Sequence, residues 1–146
     1  MRRVLLVALT AVGVGLMAAP VLAATIIGTD DSETLIGTAD SDVISGRGGV
    51  DIIEGRRQGD LLYGGLGNDR VRGNSGDDII FGNAGNDVIR AGYGRDWVSG
   101  GHGDDILEVA DRQADTVQCG GGRDIVYYDA TLDRLSADCE GFVITP

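Results

Sequence analysis

The sequence predicts an all-β fold, a parallel β-solenoid with 18 residues per coil, and three observations indicate it. Nine units of nine residues follow one another in unbroken register from Gly28 to Glu108. Glycine contributes 25 of the 146 residues, which disfavours helices and favours closely spaced turns. Aromatic residues make up only 5% of the chain, so stacked repeats rather than a large conventional core must bury the apolar surface.

Each unit predicts one turn followed by one short strand, with positions numbered 1 to 9 from Gly28. Glycine is frequent at positions 1, 2 and 4, where it permits positive φ and close approach of chains, so positions 1 to 6 are predicted as a turn. Positions 7 to 9 are rich in β-favouring residues. Because side chains alternate along a strand, the eighth position should face inward. Two units then form one coil, and stacked coils form two parallel sheets.

Two positions keep the same character in every unit. The sixth position is acidic: Glu33, Asp42, Asp51, Asp60, Asp69, Asp78, Asp87, Asp96 and Asp105. The eighth position is aliphatic: Leu35, Ile44, Ile53, Leu62, Val71, Ile80, Ile89, Val98 and Leu107. One extra residue near Val109 shifts the frame, and both patterns then resume at Asp115 with Val117, Asp124 with Val126, and Asp133 with Leu135. The eighth-position side chains are therefore the predicted core.

The first 23 residues have the features of a secretory signal peptide. Arg2 and Arg3 precede an apolar run that ends near Ala19, and small residues precede the expected cleavage site after Ala23. A signal anchor retained as a membrane helix is the alternative. We expect secretion, an extracellular or cell-surface location, and no membrane contact after cleavage. The expected organisation is a signal peptide over 1–23, a repeat domain over 24–127 and a C-terminal cap over 128–146.

The acidic columns predict bound cations. Stacked coils bring sixth-position carboxylates to about 4.8 Å from one another, where like charges repel by roughly 1 to 3 kcal/mol per pair. Ca²⁺ accepts six to eight oxygen ligands, and glycine-rich turns offer carbonyl oxygens beside each carboxylate. Mg²⁺ prefers tighter octahedra, and Zn²⁺ prefers His and Cys. A solvated acidic edge is the alternative. The net charge of −11 argues against nucleic acid as a partner.

The repeat resembles the nonapeptide of the RTX (hemolysin-type) calcium-binding proteins. Two turns match the family pattern at every fixed position: Gly64-Gly65-Leu66-Gly67-Asn68-Asp69 and Gly100-Gly101-His102-Gly103-Asp104-Asp105. The resemblance covers nearly the whole chain after the signal peptide. It implies a parallel β-roll with several Ca²⁺ ions between turns two units apart, as in small secreted repeat proteins that lack a catalytic or pore-forming domain.

The resemblance also implies which residues bind the ions. In that family one turn provides carbonyls at positions 2 and 4 and its Asp, and the turn two units later provides carbonyls at positions 1 and 3 and its Asp. On one edge, this pairs Arg47, Gly49 and Asp51 with Gly64, Leu66 and Asp69; Gly65, Gly67 and Asp69 with Gly82, Ala84 and Asp87; and Asn83, Gly85 and Asp87 with Gly100, His102 and Asp105. On the opposite edge, it pairs Asn74, Gly76 and Asp78 with Ala91, Tyr93 and Asp96.

The two edges are not expected to bind calcium equally. Odd-numbered units from the third onward keep Gly at position 4, whereas four even-numbered units carry Asp40, Gln58, Gln113 and Thr131 there. We therefore expect a continuous ladder of ions on the odd edge and about one good site on the even edge. On this interpretation Asp60 contributes little, while Asp69 and Asp87 each serve two ions.

Two cysteines predict a disulfide at the C-terminal end. Cys119 begins a turn and Cys139 lies beyond the last repeat, and two cysteines in a secreted chain most often pair. A reactive thiol is the alternative. Since an open solenoid end needs covering, residues 128–146 are interpreted as a disulfide-linked C-terminal cap.

The favoured function is a non-enzymatic calcium-binding module with a structural, adhesive or interaction role. One face, carrying Leu61, Tyr63, Ile79, Phe81 and Trp97, is a candidate surface for a protein or polysaccharide partner or for self-association. A polysaccharide-modifying enzyme on a β-solenoid is the first alternative, although His102 is the only imidazole and the repeat predicts no cleft. An ice-binding protein is the second, although Gly-Thr occurs only at Gly28 and Gly37.

Overall fold

The computed structural model describes the backbone of residues 3–5 and the chain over residues 23–144, and these residues form two parallel β-sheets. The first sheet has the strands β1 (Arg3–Leu5), β3 (Glu33–Ile36), β5 (Ile52–Arg57), β7 (Arg70–Ser75), β9 (Val88–Tyr93), β11 (Ile106–Glu108), β13 (Ile125–Tyr128) and β15 (Gly141–Ile144). The second sheet has β2 (Thr25–Ile27), β4 (Val43–Gly48), β6 (Leu61–Leu66), β8 (Ile79–Ala84), β10 (Trp97–His102), β12 (Thr116–Gly121) and β14 (Arg134–Leu135). No helix occurs in these described ranges.

The connectivity is that of a β-solenoid with two strands per coil. Consecutive strands alternate between the sheets, and each strand pairs in parallel with the strand two places later. In the second sheet, Ile44 pairs with Leu62, and Leu62 with Ile80, at a constant spacing of 18 residues. Beyond the extra residue near Val109 the spacing becomes 19, because Val98 pairs with Val117. The predicted fold class is confirmed.

The core is the single file of eighth-position side chains. Every one of these aliphatic residues from Leu35 to Leu107 is fully buried, and Val117 and Val126 continue the file in the next coil. Ile26 begins it, and Val109, the residue at the frame shift, is also buried. The core is one side chain deep on each sheet, so it exists only because the coils stack.

Most strands are longer than the predicted three residues. β6, for example, runs from position 7 of one unit through position 3 of the next, so the predicted turn over positions 1 to 6 is wrong for its first half. The reason is close packing at position 1. A methyl group on Gly64 would lie only 2.6 Å from the carbonyl oxygen of Gly82, so adjacent chains approach there as strands do. The change of direction begins at position 2, where Gly65 has a φ of +117°.

The C-terminal end is joined by the predicted disulfide. Cys119 in β12 and Cys139, which follows β14, are bonded with their Cα atoms 5.0 Å apart. Residues beyond 127 also continue the solenoid, since β14 pairs with β12 and β15 pairs with β13. The region interpreted as a cap therefore contributes one more coil, and the disulfide ties the last coils together.

The predicted signal peptide lies outside the described residues except for Arg3–Leu5 and Ala23. The three residues of β1 pair in parallel with β3, with Arg3 opposite Glu33. Over the ranges that the structure describes, no helix combines the length and apolar character needed to cross a bilayer.

Candidate metal sites

The sixth-position carboxylates form two buried columns, one along each edge of the solenoid. Asp51, Asp69 and Asp87 have at most 1% of their surface exposed. Each column is held by the same hydrogen bond, in which the backbone N–H of one acidic residue donates to Oδ1 of the aspartate two units later. The distance is 2.8 Å from Asp51 N to Asp69 Oδ1 and 2.8 Å from Asp69 N to Asp87 Oδ1. A solvated acidic edge, the alternative interpretation, is therefore wrong.

The second carboxylate oxygen of most of these aspartates is buried and has no hydrogen-bond partner. This holds for Oδ2 of Asp51, Asp60, Asp69, Asp78, Asp87, Asp96, Asp105, Asp115 and Asp124. A buried polar atom without a partner is rare in native proteins and calls for an explanation such as a bound ion or water. From the third to the eleventh unit, the repeat thus presents one unsatisfied carboxylate oxygen per unit along both edges.

Burial of these groups shifts their acidity. Desolvation is the largest cause, and neighbouring carboxylates add to it, so the pKa of Asp78, Asp87 and Asp115 is raised to about 7. The same causes raise the pKa of Asp51, Asp96 and Asp105 to about 6. The hydrogen bond from the acidic residue two units earlier acts in the opposite direction but does not compensate. Without a cation, the columns hold their negative charge only at a free-energy cost.

In the six of these units that have glycine at position 1, the unpartnered oxygen lies beside that glycine, close to a backbone carbonyl oxygen from the turn two units later. The place that a methyl group on Gly64 would occupy lies 2.7 Å from Oδ2 of Asp69 and 2.6 Å from the carbonyl oxygen of Gly82. Gly100 repeats the arrangement, with Oδ2 of Asp105 at 2.5 Å and the carbonyl oxygen of Cys119 at 2.6 Å. Oxygen atoms of two turns, two units apart, therefore converge at each step.

The donor set fits a hard cation that prefers oxygen ligands. Among the described residues, no group of three or more His, Cys, Asp or Glu side chains converges as a metal site. An ion in the turns must therefore use backbone carbonyls beside the carboxylates, which suits Ca²⁺ and not Zn²⁺. The neighbouring carbonyl oxygens and the unsatisfied carboxylate oxygens both agree with this chemistry.

The structure places the residues of the predicted ligand sets in these turns and at the adjoining strand ends. Position-2 residues Arg47, Asn74 and Asn83 take positive φ values of 73°, 78° and 77°, as Gly65 and Gly101 do. The predicted position-3 carbonyls already accept one hydrogen bond in three turns, because Gly67, Gly76 and Gly85 donate to Ala84, Tyr93 and His102 respectively. A carbonyl oxygen has two lone pairs, so one remains for a cation.

The first two turns differ from the others, and the sequence interpretation missed this. Asp42 accepts hydrogen bonds from the backbone N–H of Thr38 at 2.5 Å, from its hydroxyl at 3.0 Å, and from the N–H of Ala24 at 2.6 Å. In the same way, Thr29 donates hydrogen bonds to Glu33, from its backbone N–H at 2.7 Å and from its hydroxyl at 3.1 Å. No oxygen of either acid is buried without a partner. The sequence feature that could have indicated these hydrogen bonds is Thr at position 2, because only the first two units have Thr there.

The even edge shows a second departure from the pattern. Position 4 carries Asp40 in the second unit and Gln58 in the fourth, and Gln58 Nε2 donates to Asp40 Oδ1 at 3.3 Å. Oδ2 of Asp60 is nevertheless unpartnered, as it is in the odd units. The ranking of Asp60 below Asp87 therefore stays a prediction that rests on position 4 alone.

A β-solenoid with columns of buried, half-satisfied carboxylates beside convergent carbonyls defines a cation-binding repeat protein. The chain matches the sequence model of the RTX calcium-binding nonapeptide repeat (4 copies) over residues 27–62, 55–89 and 81–111, together more than half of its length. It belongs to this family, whose repeats bind calcium. A search among curated proteins gives no match.

Proposed function

We propose that this chain is a secreted module whose folding depends on Ca²⁺ held between successive turns, and that its role is structural or adhesive rather than enzymatic. The observation that carries the proposal is the run of nine buried aspartate oxygens with no partner. Six of them lie beside a position-1 glycine and a backbone carbonyl oxygen from the turn two units later, where an ion could bind. A protein that never bound cations would have no use for so many unsatisfied charged groups.

The dependence on calcium follows from the balance between a thin core and a charged column. Each coil buries only two eighth-position side chains fully, and backbone ordering costs about 1 to 2 kcal/mol per residue. Repulsion between neighbouring carboxylates adds roughly 1 to 3 kcal/mol per pair. A divalent ion that binds only to the folded turns replaces this repulsion between carboxylates by attraction to the ion. Its binding free energy then contributes directly to the free energy of folding.

The proposed ligand sets are those inferred from the sequence. On the odd edge, Asp69 and Asp87 each lie between two sites, so the ions form a ladder from the third to the ninth unit. On the even edge, the turns of Asp78 and Asp96 form the one complete site. The N–H to Oδ1 bond between successive aspartates supports this arrangement, because it brings each carboxylate to the turn two units earlier.

Secretion is supported by the disulfide and by the N-terminal sequence. Disulfides persist in oxidising compartments, where calcium is also abundant enough to load sites of modest affinity. We propose cleavage after Ala23, a repeat domain over 24–127 and a cap over 128–146. Calcium-triggered folding would then begin only outside the cell.

The aromatic face on the second sheet is an ordered ladder. Tyr63 and Phe81 stack with their ring centroids 5.1 Å apart and their planes 7° from parallel, and Trp97 tilts against Phe81 at 4.9 Å. The rings therefore cover one another's faces, which stabilises the sheet through cross-strand contacts. Leu61 and Ile79 flank them on the same face. Contact with a protein, or self-association, is the role we propose for this face.

The test compares the processed chain, residues 24–146, in chelator, in Ca²⁺ and in Mg²⁺. Circular dichroism should show β-structure and small-angle scattering a compact rod only with Ca²⁺, while Mg²⁺ at the same concentration should be much less effective. The sites should fill at about 10⁻⁴ to 10⁻³ M, as in extracellular modules. An equally compact, β-rich chain after complete chelation would overturn the proposal.

A further inference from the structure

The arginines of this acidic chain are concentrated on one surface. All 12 basic residues are Arg, and the net charge is −11. Six of them line hollows on the outer face of the first sheet, along β5, β7, β9 and the loop after β11: Arg56, Arg57, Arg70, Arg72, Arg90 and Arg112. We name these hollows together the arginine groove. It runs parallel to the solenoid axis and adjoins the even-edge turns at Asn74 and Tyr93.

The centre of the groove places like charges side by side. Arg72 and Arg90 are in register on neighbouring strands, at a spacing of about 4.8 Å between the strands. Arg72 pairs with Glu54 at 3.1 Å, and Arg90 pairs with Glu108 at 2.6 Å, so each guanidinium is held by a carboxylate on its far side. Like charges placed directly opposite one another destabilise a sheet, and an anion between them would reverse this effect.

Arg70 adds a third guanidinium to the same hollow, which has a volume of about 270 Å³. Among the described residues, no carboxylate forms an ion pair with Arg70. Three guanidiniums therefore border one hollow while two carboxylates balance them. Guanidinium groups bind carboxylates through two parallel hydrogen bonds, so the hollow suits a carboxylate ligand.

The groove widens where the frame shift interrupts the repeat. The open pocket there has a volume of about 700 Å³ and is lined by Tyr93, Tyr127, Arg112, Asp111 and Glu108 among others. Tyr93 is 68% exposed and offers an apolar ring, and Asp111 is held by hydrogen bonds from Gly94 and Gln113. Rings beside carboxylates and guanidiniums match a polyhydroxylated ligand, because hydroxyl groups both donate and accept hydrogen bonds.

We propose that the arginine groove binds an acidic polysaccharide of the polyuronate class. Sugar carboxylates would lie at the guanidiniums of β7 and β9, and sugar hydroxyls would meet the mixed lining of the wider pocket. From β5 to β13 the groove spans four strand spacings, about 19 Å, which accommodates an extended oligomer. Nucleic acid is the alternative polyanion, since guanidinium groups also bind phosphates, and the test below separates the two ligands.

This proposal rests on the proposed function in one respect, since the groove exists only when the coils are stacked. The test therefore uses the processed chain at saturating Ca²⁺, with folding confirmed by circular dichroism in each sample. Fluorescence anisotropy measures the binding of a labelled soluble oligogalacturonate, a neutral maltodextrin of matched length and a single-stranded oligonucleotide. We expect binding of the oligogalacturonate that weakens with added salt, and much weaker binding of the other two.

The double variant R72Q/R90Q removes two groove charges from exposed side chains and should weaken oligogalacturonate binding about tenfold or more. The matched control R95Q/R123Q removes two turn arginines outside the groove, with the same change in net charge, and should bind as the wild type does. Equal binding by the groove variant, equal losses in both variants, or preference for the oligonucleotide would each overturn the proposal. A chain that folds with Ca²⁺ but binds no oligogalacturonate would refute this inference and leave the proposed function intact.

Discussion

Replacing Asp87 by Asn should have opposite effects on the calcium-free and the calcium-loaded protein. Oδ1 of Asp87 accepts the N–H of Asp69, and the carbonyl oxygen of Asn can accept it equally well. Oδ2 is buried without a partner. In the calcium-free protein the substitution removes a buried charge, whereas in the loaded protein it removes a charged ligand. Both effects arise at Oδ2 of Asp87. The substitution should therefore raise the folding stability of the calcium-free protein and lower that of the calcium-loaded protein.

The expected change in folding free energy for Asp87→Asn follows from the pKa of the Asp87 carboxyl group. Burial, with the charges of Asp105 and Asp69, raises the pKa of Asp87 from 3.8 to about 7. A shift of this size corresponds to about 4 kcal/mol. Solvent at the edge of the sheet screens part of the charge, so we expect the calcium-free fold to gain about 2 kcal/mol. Loss of one carboxylate from two ion sites should weaken calcium binding about tenfold or more.

Asp42→Asn is the matched control, because the same substitution acts on a carboxylate that the protein itself satisfies. Asp42 accepts three hydrogen bonds from Thr38 and Ala24, and none of its oxygen atoms is buried without a partner. Losing a charged acceptor should destabilise both forms by about 1 to 3 kcal/mol. Calcium affinity at the later turns should stay unchanged.

The assay is folding followed by circular dichroism. An osmolyte such as trimethylamine oxide drives folding of the calcium-free chains, and a calcium titration reports the loaded state. The osmolyte midpoint should fall for Asp87→Asn and rise for Asp42→Asn. When the osmolyte concentration keeps every chain folded and calcium binding is followed by calorimetry, only Asp87→Asn should need more calcium. If both variants moved the calcium-free midpoint in the same direction, the unpartnered oxygen would not be the strained group that we infer.

Three further predictions test other parts of the structure. Because the folded calcium-free chain has raised carboxyl pKa values, it should gain stability as the pH falls from about 7 to about 4. When osmolyte keeps the calcium-free chain folded, proton release should accompany calcium binding in a weakly buffered titration. Reducing the bond between Cys119 and Cys139, which closes a 20-residue loop, should lower the free energy of unfolding by about 3 kcal/mol, with hydrogen exchange increasing first in the last coil. Gly67→Ala should disrupt calcium-induced folding, because Gly67 has a φ of +121° and a methyl group there would collide with the carbonyl of Gly49. Gly121→Ala is the control: a methyl group there has no atom nearer than 3.6 Å, so this variant should fold as the wild type does in the same calcium titration.

The core could be predicted because the repeat has a constant length. When 18 residues form each coil, equal positions stack, so the alternation that turns Leu62 inward does the same for Ile44 and Ile80. The disulfide could be predicted for a different reason: the sequence has two cysteines, and in a chain expected to be secreted two cysteines most often pair with each other. Neither inference needed side-chain geometry.

Strand length and the character of the first turns could not be predicted in the same way. Glycine has low strand propensity, and only the contact between Gly64 and the carbonyl of Gly82 shows why position 1 stays extended. The hydroxyl bonds of Thr29 and Thr38 follow from turn geometry, although Thr at position 2 was visible in the sequence. The wide pocket depends on how the chain accommodates the extra residue near Val109, for which the period gives no rule.

The two charged features of this molecule are coupled through its electric field. At a net charge of −11, the aspartate columns repel any anionic polymer before it can reach the guanidiniums on the first sheet. Each Ca²⁺ adds two positive charges, so the four proposed sites, three on the odd edge and one on the even edge, would bring the processed chain from −13 (the −11 of the full sequence without Arg2 and Arg3) to about −5 and weaken this repulsion. If both proposals hold, calcium would act twice: it would stack the coils that align Arg72 with Arg90, and it would reduce the repulsion that opposes their ligand. The affinity for an oligogalacturonate should then rise with calcium even after circular dichroism shows that folding is complete, as long as further ions continue to bind.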